Sequence, residues 1–436
     1  MKLVLFGAGS AQFGLGMLGD IFASRTLEGA EVTLVDIRPD ALGRVHDLAA
    51  DYVKERELPF TVEATTERRS ALRGADCVII SIEVGDRFAL WDEDWKVPQQ
   101  YGIRQVYGEN GGPGGLFHAL RIIPVIMAIC DDIMELAPDA HVFCYSNPMT
   151  AITTAVHRRH PGINFYGMCH EVASLERYLP AILNTPFENL ALRAAGLNHF
   201  SILVEARYRD SGRDAYPDIL RGAPAFFAAE PGSSEIWEYA RENGVLPYTE
   251  GARERSLQEV LLAHKPWPER GLFKVILEKF RLLPITVDSH LGEYIPWAYD
   301  VVDHRSIVDF YDFYRYLLAN STPDITQRRH ERAIAVFEGI VTDTEYEEEA
   351  LNIPNAGYIP TLPDNVAVEV PAAVSGSGVR GIAFPDYPKA FAALLRNYVG
   401  VYDLTADAAL QGSRELAVQA LLVNPLVTEY RRVDEL

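Results

Sequence analysis

Cysteine, cationic charge and long hydrophobic runs are all in short supply in this chain. Its 436 residues hold four cysteines (Cys77, Cys130, Cys144 and Cys169), with no CxxC pair and no dense spacing. That excludes a disulfide-stapled scaffold and makes a reducing cytoplasm the expected setting. Lys and Arg number 40 against 61 Asp and Glu, for a net charge of -21. Nucleic acids and anionic membrane surfaces attract basic patches, so neither is an expected partner. A small anionic substrate is still admissible, because it needs only one or two local cations. No signal peptide is read at the start, where Leu3 to Phe6 is cut short by Gly7. The most apolar helical stretch, around Ile122 to Cys130, is interrupted by Pro124 and is expected to be too short for a bilayer. Internal repeats and low-complexity tracts are missing as well.

What is present is a globular composition, 48% hydrophobic and 23% charged, in a chain longer than one typical core. Two fused domains are expected, residues 1–195 and 196–436. Strands are read at residues 2–6, 31–35, 76–82, 141–145 and 163–168, with helices at 40–55 and 115–136. Such alternation predicts an α/β fold, a Rossmann-type doubly wound parallel sheet. Past about Phe200 the pattern loosens into an α+β C-terminal domain, expected to carry the substrate, metal and oligomer contacts. Residues 224–234, rich in Pro, Ala, Gly and Ser, read as an exposed insertion.

The first strand runs into Gly7-Ala8-Gly9-Ser10. A GxG turn lets the backbone approach a pyrophosphate, which then rests on the next helix's N-terminus. Asp36 ends the second strand, where a carboxylate holds ribose hydroxyls and repels a 2′-phosphate, so NAD+ is favoured over NADP+. Gln12 stands where the usual third glycine would be. Ser81 and Gly85, after the 76–82 strand, would border the same crevice.

Cys169 and His199 each follow an apolar run, and both have polar company: His170 and Glu171 beside the thiol, Asn198 beside the imidazole. A lone cysteine or histidine in such a place is commonly a core residue. Together, a thiolate and an imidazole are ligands that a borderline-soft divalent metal prefers. Two further polar knots end apolar segments: Ser146-Asn147-Pro148, and Asp288-Ser289-His290-Leu291-Gly292-Glu293-Tyr294. A pocket lined from several elements needs such knots. A metal beside a nicotinamide suggests oxidation of a hydroxyl.

Several motifs in order carry a resemblance. They are Gly7-Ala8-Gly9-Ser10, Gly112-Pro113-Gly114-Gly115, Asn147-Pro148, Cys169-His170-Glu171-Val172 and Gly196-x-Asn198-His199. Asn352-Ile353-Pro354-Asn355-x-Gly357 and Val368-Glu369-Val370-Pro371 complete the set. The chain resembles glycoside hydrolase family 4 from its first strand to about Pro425. The resemblance implies a fold like lactate and malate dehydrogenases, a bound NAD+, a divalent metal (usually manganese) and a homodimer or homotetramer. It also implies hydrolysis through redox and elimination: hydride removal at C3, deprotonation at C2, loss of the aglycone, water addition and re-reduction.

By the same resemblance, Cys169 and His199 bind metal, and Asn147 and Asn198 hold sugar hydroxyls. His170 would assist the leaving group and Asp288 would be the C2 base, with Tyr294 and Glu250 as alternatives. Glu171, His290 and Glu293 are expected at the substrate. The Cys169-His170-Glu171-Val172 form and the 288–293 segment resemble the α-galacturonidase branch, so an unphosphorylated α-D-galacturonide is the expected substrate. Neutral α-galactosidase and α-glucosidase members and α-glucuronidases are near neighbours. Lys96, Arg104 and Arg121 are the cations considered for a uronate. A hydroxy acid or polyol dehydrogenase on the same fold is the rival of another class. It would accumulate NADH and should show an arginine–aspartate–histidine trio, which this sequence does not assemble.

Overall fold

The computed structural model describes residues 1–9, 13–169, 171–242, 270–320, 324–325 and 331–436. Its N-terminal half is built from strands β1 (Lys2–Phe6), β2 (Glu31–Val35), β3 (Thr61–Thr65), β4 (Cys77–Ile80), β5 (His141–Cys144) and β6 (Asn164–Gly167). These pair in parallel in the order β3-β2-β1-β4-β5-β6. Helices α1 (Phe13–Ala23), α2 (Pro39–Glu55), α3 (Arg68–Leu72), α4 (Arg87–Gln100), α5 (Gly112–Leu136) and α6 (Met149–Arg159) lie between them. β1, β4 and β5 are apolar and buried almost throughout, as strands covered on both faces must be. The order reverses between β1 and β4, the place where such sheets open a crevice beyond their carboxyl ends.

The sheet continues past β6. Strands β7 (Leu190–Leu197), β8 (Phe200–Tyr208), β9 (Leu283–Pro284), β10 (Tyr346–Pro354) and β11 (Ala367–Ser375) extend it in the order β6-β10-β11-β7-β8-β9. The added pairings are antiparallel, and β12 (Gly378–Gly381) pairs with β11. One hydrophobic cluster runs from Leu3 to Ala406 and so joins the two halves. A second packs Val172, Leu179, Leu203, Phe227 and Phe273 around β7 and β8.

One expectation fails here for a local reason. Pro124 sits inside α5 without ending it, and α5 is long and apolar enough to cross a membrane by those criteria alone. It is a core helix nonetheless, with 67% of its most apolar window buried. The 224–234 stretch leaves Pro224, Ala225, Ala228 and Ala229 exposed as expected, but most of it is helical: helix Tyr216–Ala229 runs through Pro224 and buries Phe227. Helix Ser233–Glu242 then begins at its end.

Candidate active site

At the β1–α1 turn, Gly7 has φ +78, and a Cβ there would overlap the Ser81 carbonyl oxygen. Only glycine lets the turn lie across the end of β4. The Gly9 N–H donates to Asp36 Oδ2 at 2.8 Å, and a Cβ on Gly9 would stand 2.7 Å from that oxygen. The other Asp36 oxygen accepts from the Arg38 N–H at 2.9 Å. Ser81 is tied to β1 through the Phe6 carbonyl, and Gly85, at φ +81, turns the chain toward α4. Gly7, Gly9, Asp36, Ser81 and Gly85 therefore line one edge of the sheet, and the bare glycine cradle fits a dinucleotide. Ser10 lies outside the described residues.

Cys169 follows β6, and His199 occupies the tight turn between β7 and β8. His199 has φ +130, a costly backbone state for a residue with a side chain, of the kind that gathers at functional sites. Cys169 Sγ lies 3.5 Å from His199 Nε2, and Glu171 Oε1 lies 3.8 Å from the same nitrogen. One ligand atom from each of the three falls within 4.8 Å of the others. The donors fit a borderline divalent cation. Burial pushes the Glu171 carboxyl up to about 8 and the Cys169 thiol well above its usual range. A bound cation would reverse both shifts. Glu171, expected at the substrate, is the third group of this cluster, and Thr286 Oγ1 donates to it at 2.7 Å.

The His290 ring lies 4.4 Å from the His199 ring, centre to centre. Its nitrogens approach Glu109 at 3.9 Å and Glu293 at 3.8 Å. Burial opposes the imidazolium, but the Glu293, Glu109 and Glu171 carboxylates outweigh it and raise His290 to about 10. Asn147 Nδ2 donates to Glu109 Oε1 at 3.3 Å, which brings Asn147 into the same cluster.

A sequence profile described as Family 4 glycosyl hydrolase matches residues 2–185, and its C-terminal domain profile matches 194–427. The chain belongs to glycoside hydrolase family 4. Over 435 residues it is 58% identical to an alpha-glucosidase of Erwinia rhapontici, covering 100% of this chain and 96% of that protein. An alpha-galacturonidase of Thermoanaerobacterium saccharolyticum shares 27% over 459 residues, covering 98% and 92%. Among solved structures, a 6-phospho-alpha-glucosidase from gut microorganisms, in complex with NAD and Mn2+, superposes with TM-score 0.77 at 20% identity, covering 100% and 96%. Plasmodium falciparum malate dehydrogenase, at TM-score 0.52 and 11% identity over 96% of this chain and 99% of its own, shares the fold. The dehydrogenase-like architecture is therefore that of a family 4 glycosidase.

Within this family 4 enzyme two of the expected site carboxylates accept backbone N–H groups. Asp288 is fully buried, and its two oxygens accept the N–H groups of Leu272 and Phe273, each at 2.7 Å. Through these two bonds it ties down the start of helix Gly271–Val275. Glu293 is likewise spent on backbone. It accepts from Glu109 N at 3.0 Å, Asn110 N at 2.8 Å and Gly111 N at 2.6 Å, fixing the approach to α5. Tyr294 stacks on Phe200 at 4.6 Å and donates to the Asn198 carbonyl, with its phenol pushed far above the usual range by burial. His170 and Glu250 lie outside the described residues.

Lys96 pairs with Asp92 at 3.2 Å, Arg104 with Asp300, and Arg121 holds Asp94 from two nitrogens. None of the three cations considered for a uronate is free of a carboxylate. Two site carboxylates had drawn no role from the sequence. Glu109 lies three residues before the Gly112 motif, and Glu369 lies inside a quoted motif where its strand alternation resembles an outward charge.

Proposed function

We propose that this enzyme hydrolyses unphosphorylated α-glucosides, using NAD+ and a divalent metal, manganese by preference. The observation that carries the catalytic reading is the Cys169–Glu171–His199 cluster on the same sheet as the Gly7–Asp36 crevice. The 58% identity to a named alpha-glucosidase supports the sugar, and it replaces the galacturonide expected from the Cys169-His170-Glu171-Val172 motif.

When bound, NAD+ supplies a reversible hydride acceptor and the metal a Lewis acid. Gly7 and Gly9 let the pyrophosphate approach, and Asp36 takes the ribose hydroxyls. Cys169, Glu171 and His199 hold the metal. His290, set between Glu109 and Glu293, is placed to donate a hydrogen bond to a sugar oxygen on which negative charge develops. Asn147 and Asn198 orient hydroxyls, and His170 assists the departing aglycone. The protein works as a homodimer or homotetramer, a point light scattering decides.

The test is turnover of matched p-nitrophenyl and natural α-glucosides, α-galactosides, α-galacturonides and 6-phosphates with Mn2+ and reductant. Activity should vanish on removing NAD+ and return with substoichiometric NAD+, and α-glucosides should give the highest kcat/KM. One NADH accumulating per substrate would replace the reading with a dehydrogenase. Equal or better turnover of α-galacturonides would overturn the sugar and leave the family standing.

A further inference from the structure

Helix α5 begins against the segment that carries Glu109. A Cβ on Gly114 would stand 2.7 Å from the Gly108 Cα, and one on Gly115 would stand 2.5 Å from the Asn110 carbonyl oxygen. The two bare positions let the helix lie directly on residues 108–110. His118 follows one turn later on the same helix face and meets that segment too. It is 3% exposed. Its Nδ1 lies 2.8 Å from the Glu109 carbonyl oxygen, and its Nε2 lies 3.2 Å from Glu83 Oε2.

A carbonyl and a carboxylate only accept, so both ring nitrogens carry a proton and His118 is an imidazolium. A buried charge needs a partner, and Glu83 supplies it. Arg87 Nε stands 3.9 Å from the other Glu83 oxygen, so that carboxylate sits between two basic side chains. The Glu109 N–H donates to Glu293 Oε1 at 3.0 Å. Among the described residues, His118 alone donates to the Glu109 carbonyl. The Glu109 backbone is thus held from both sides. Its side chain accepts from Asn147 Nδ2 at 3.3 Å and stands 3.9 Å from His290 Nε2.

We propose that His118 is a positioning residue: through the Glu109 carbonyl it fixes the carboxylate on which Asn147 and His290 are aligned. The inference rests on the glycosidase reading for the work of that cluster. An Asn side chain puts its amide nitrogen near the Nδ1 place of a histidine, and Gln puts its own near Nε2. His118→Asn therefore keeps a donor for the Glu109 carbonyl and gives up Glu83, and His118→Gln does the reverse. A residue wanted only as the partner of Glu83 would rank the two variants the other way.

The measurement is kcat/KM with saturating NAD+ and Mn2+, on whichever glycoside wild type turns over best. His118→Ala and His118→Gln should fall by roughly ten- to a hundredfold, the loss expected when a site shifts by about 1 Å. His118→Asn should restore activity to within about threefold of wild type, because the Glu109 bond survives. Equal losses in His118→Asn and His118→Gln, or a better His118→Gln, would overturn the proposal. A wrong sugar changes the best substrate and leaves the order of the variants intact. The readout free of turnover is the 15N spectrum of histidine-labelled protein, loaded with NAD+ and with Mg2+ in place of paramagnetic Mn2+. The His118 signals, assigned by their loss in His118→Asn, should show protons on both ring nitrogens at neutral pH. The His290 signals should move in His118→Gln and hold still in His118→Asn. A bare Nδ1 in wild type, or His290 signals unmoved in His118→Gln, would refute the positioning whatever the enzyme turns over. Should His118→Gln be insoluble, His118→Ala takes its place in both comparisons.

Discussion

Replacing Asp288 separates a helix cap from a proton acceptor. Its oxygens hold two buried backbone N–H groups at 2.7 Å. Leaving a buried donor without an acceptor costs about 1–3 kcal/mol, so Asp288→Ala should destabilise the fold by roughly 2–6 kcal/mol. Unfolding entropy near 2.1 cal/mol/K per residue makes each kcal/mol worth about 1 °C in a chain of this length, if it melts in one step. The expected fall in Tm is therefore on the order of 2–6 °C. Asp288→Asn keeps one carbonyl acceptor but turns an NH2 against the other amide, so about half that loss is expected. Tm by calorimetry and kcat per folded enzyme, both with saturating NAD+ and Mn2+, are the measurements. If Asp288 only caps, Asp288→Asn lowers Tm while kcat at 25 °C stays within about threefold. A general base contributes roughly 100- to 10,000-fold. An unchanged Tm with a loss of that size would refute the cap and restore Asp288 as the base.

The remaining predictions concern the cofactor, the metal, pH and isotope exchange. Gly7→Ala should abolish NAD+ binding in a fluorescence titration, because its Cβ overlaps the Ser81 carbonyl at a backbone φ of +78. Cys169→Ser and His199→Ala should each lose Mn2+-dependent activity with little change in circular dichroism; full activity after dialysis against EDTA would refute the metal assignment. Burial raises the Asp288 carboxyl from an ordinary 3.8 to about 7, against backbone hydrogen bonds that lower it. Folding thus favours its protonated form, a contribution complete below pH 3.8 and lost as pH rises through about 7. The Tm advantage of wild type over the non-titrating Asp288→Asn should accordingly shrink between pH 5 and 8. Turnover in D2O should place deuterium at C2 of the released sugar, and a product with only protium there would favour direct displacement.

The parallel half of the fold was legible because its strands are covered on both faces and stand out as apolar runs stopped by glycine or a polar turn. β3 escaped because most of its residues lie partly in solvent, which leaves no run to see. β10 and β11 pair with each other, but what joins them to the sheet is β6 and β7, 185 and 173 residues earlier at the paired positions, and pairing at that range leaves no local mark. At the site, Cys169 and His199 were visible as polar residues ending apolar segments. The carboxylates were not separable by eye. Asp288, Glu293 and Glu369 are all acids in mixed surroundings, and their roles depend on which N–H groups arrive from elsewhere. For Glu293 those donors come from more than 180 residues away. For Glu171, adjacency to Cys169 does not say which way a carboxylate turns after a strand, so its place beside the Cys169–His199 pair was not visible.

The unbroken sheet has a consequence for how this chain can be cut. The two family profiles meet between residues 185 and 194, where a designer would divide the gene. Division there would strip β6 of β10 and leave its N–H and C=O groups on an open edge, the usual template for aggregation. It would also part Cys169 from His199. The nucleotide half should therefore be insoluble when expressed alone, and should recover when the other half is co-expressed and restores the missing strand. The gene has a seam at that point, and the folded protein does not.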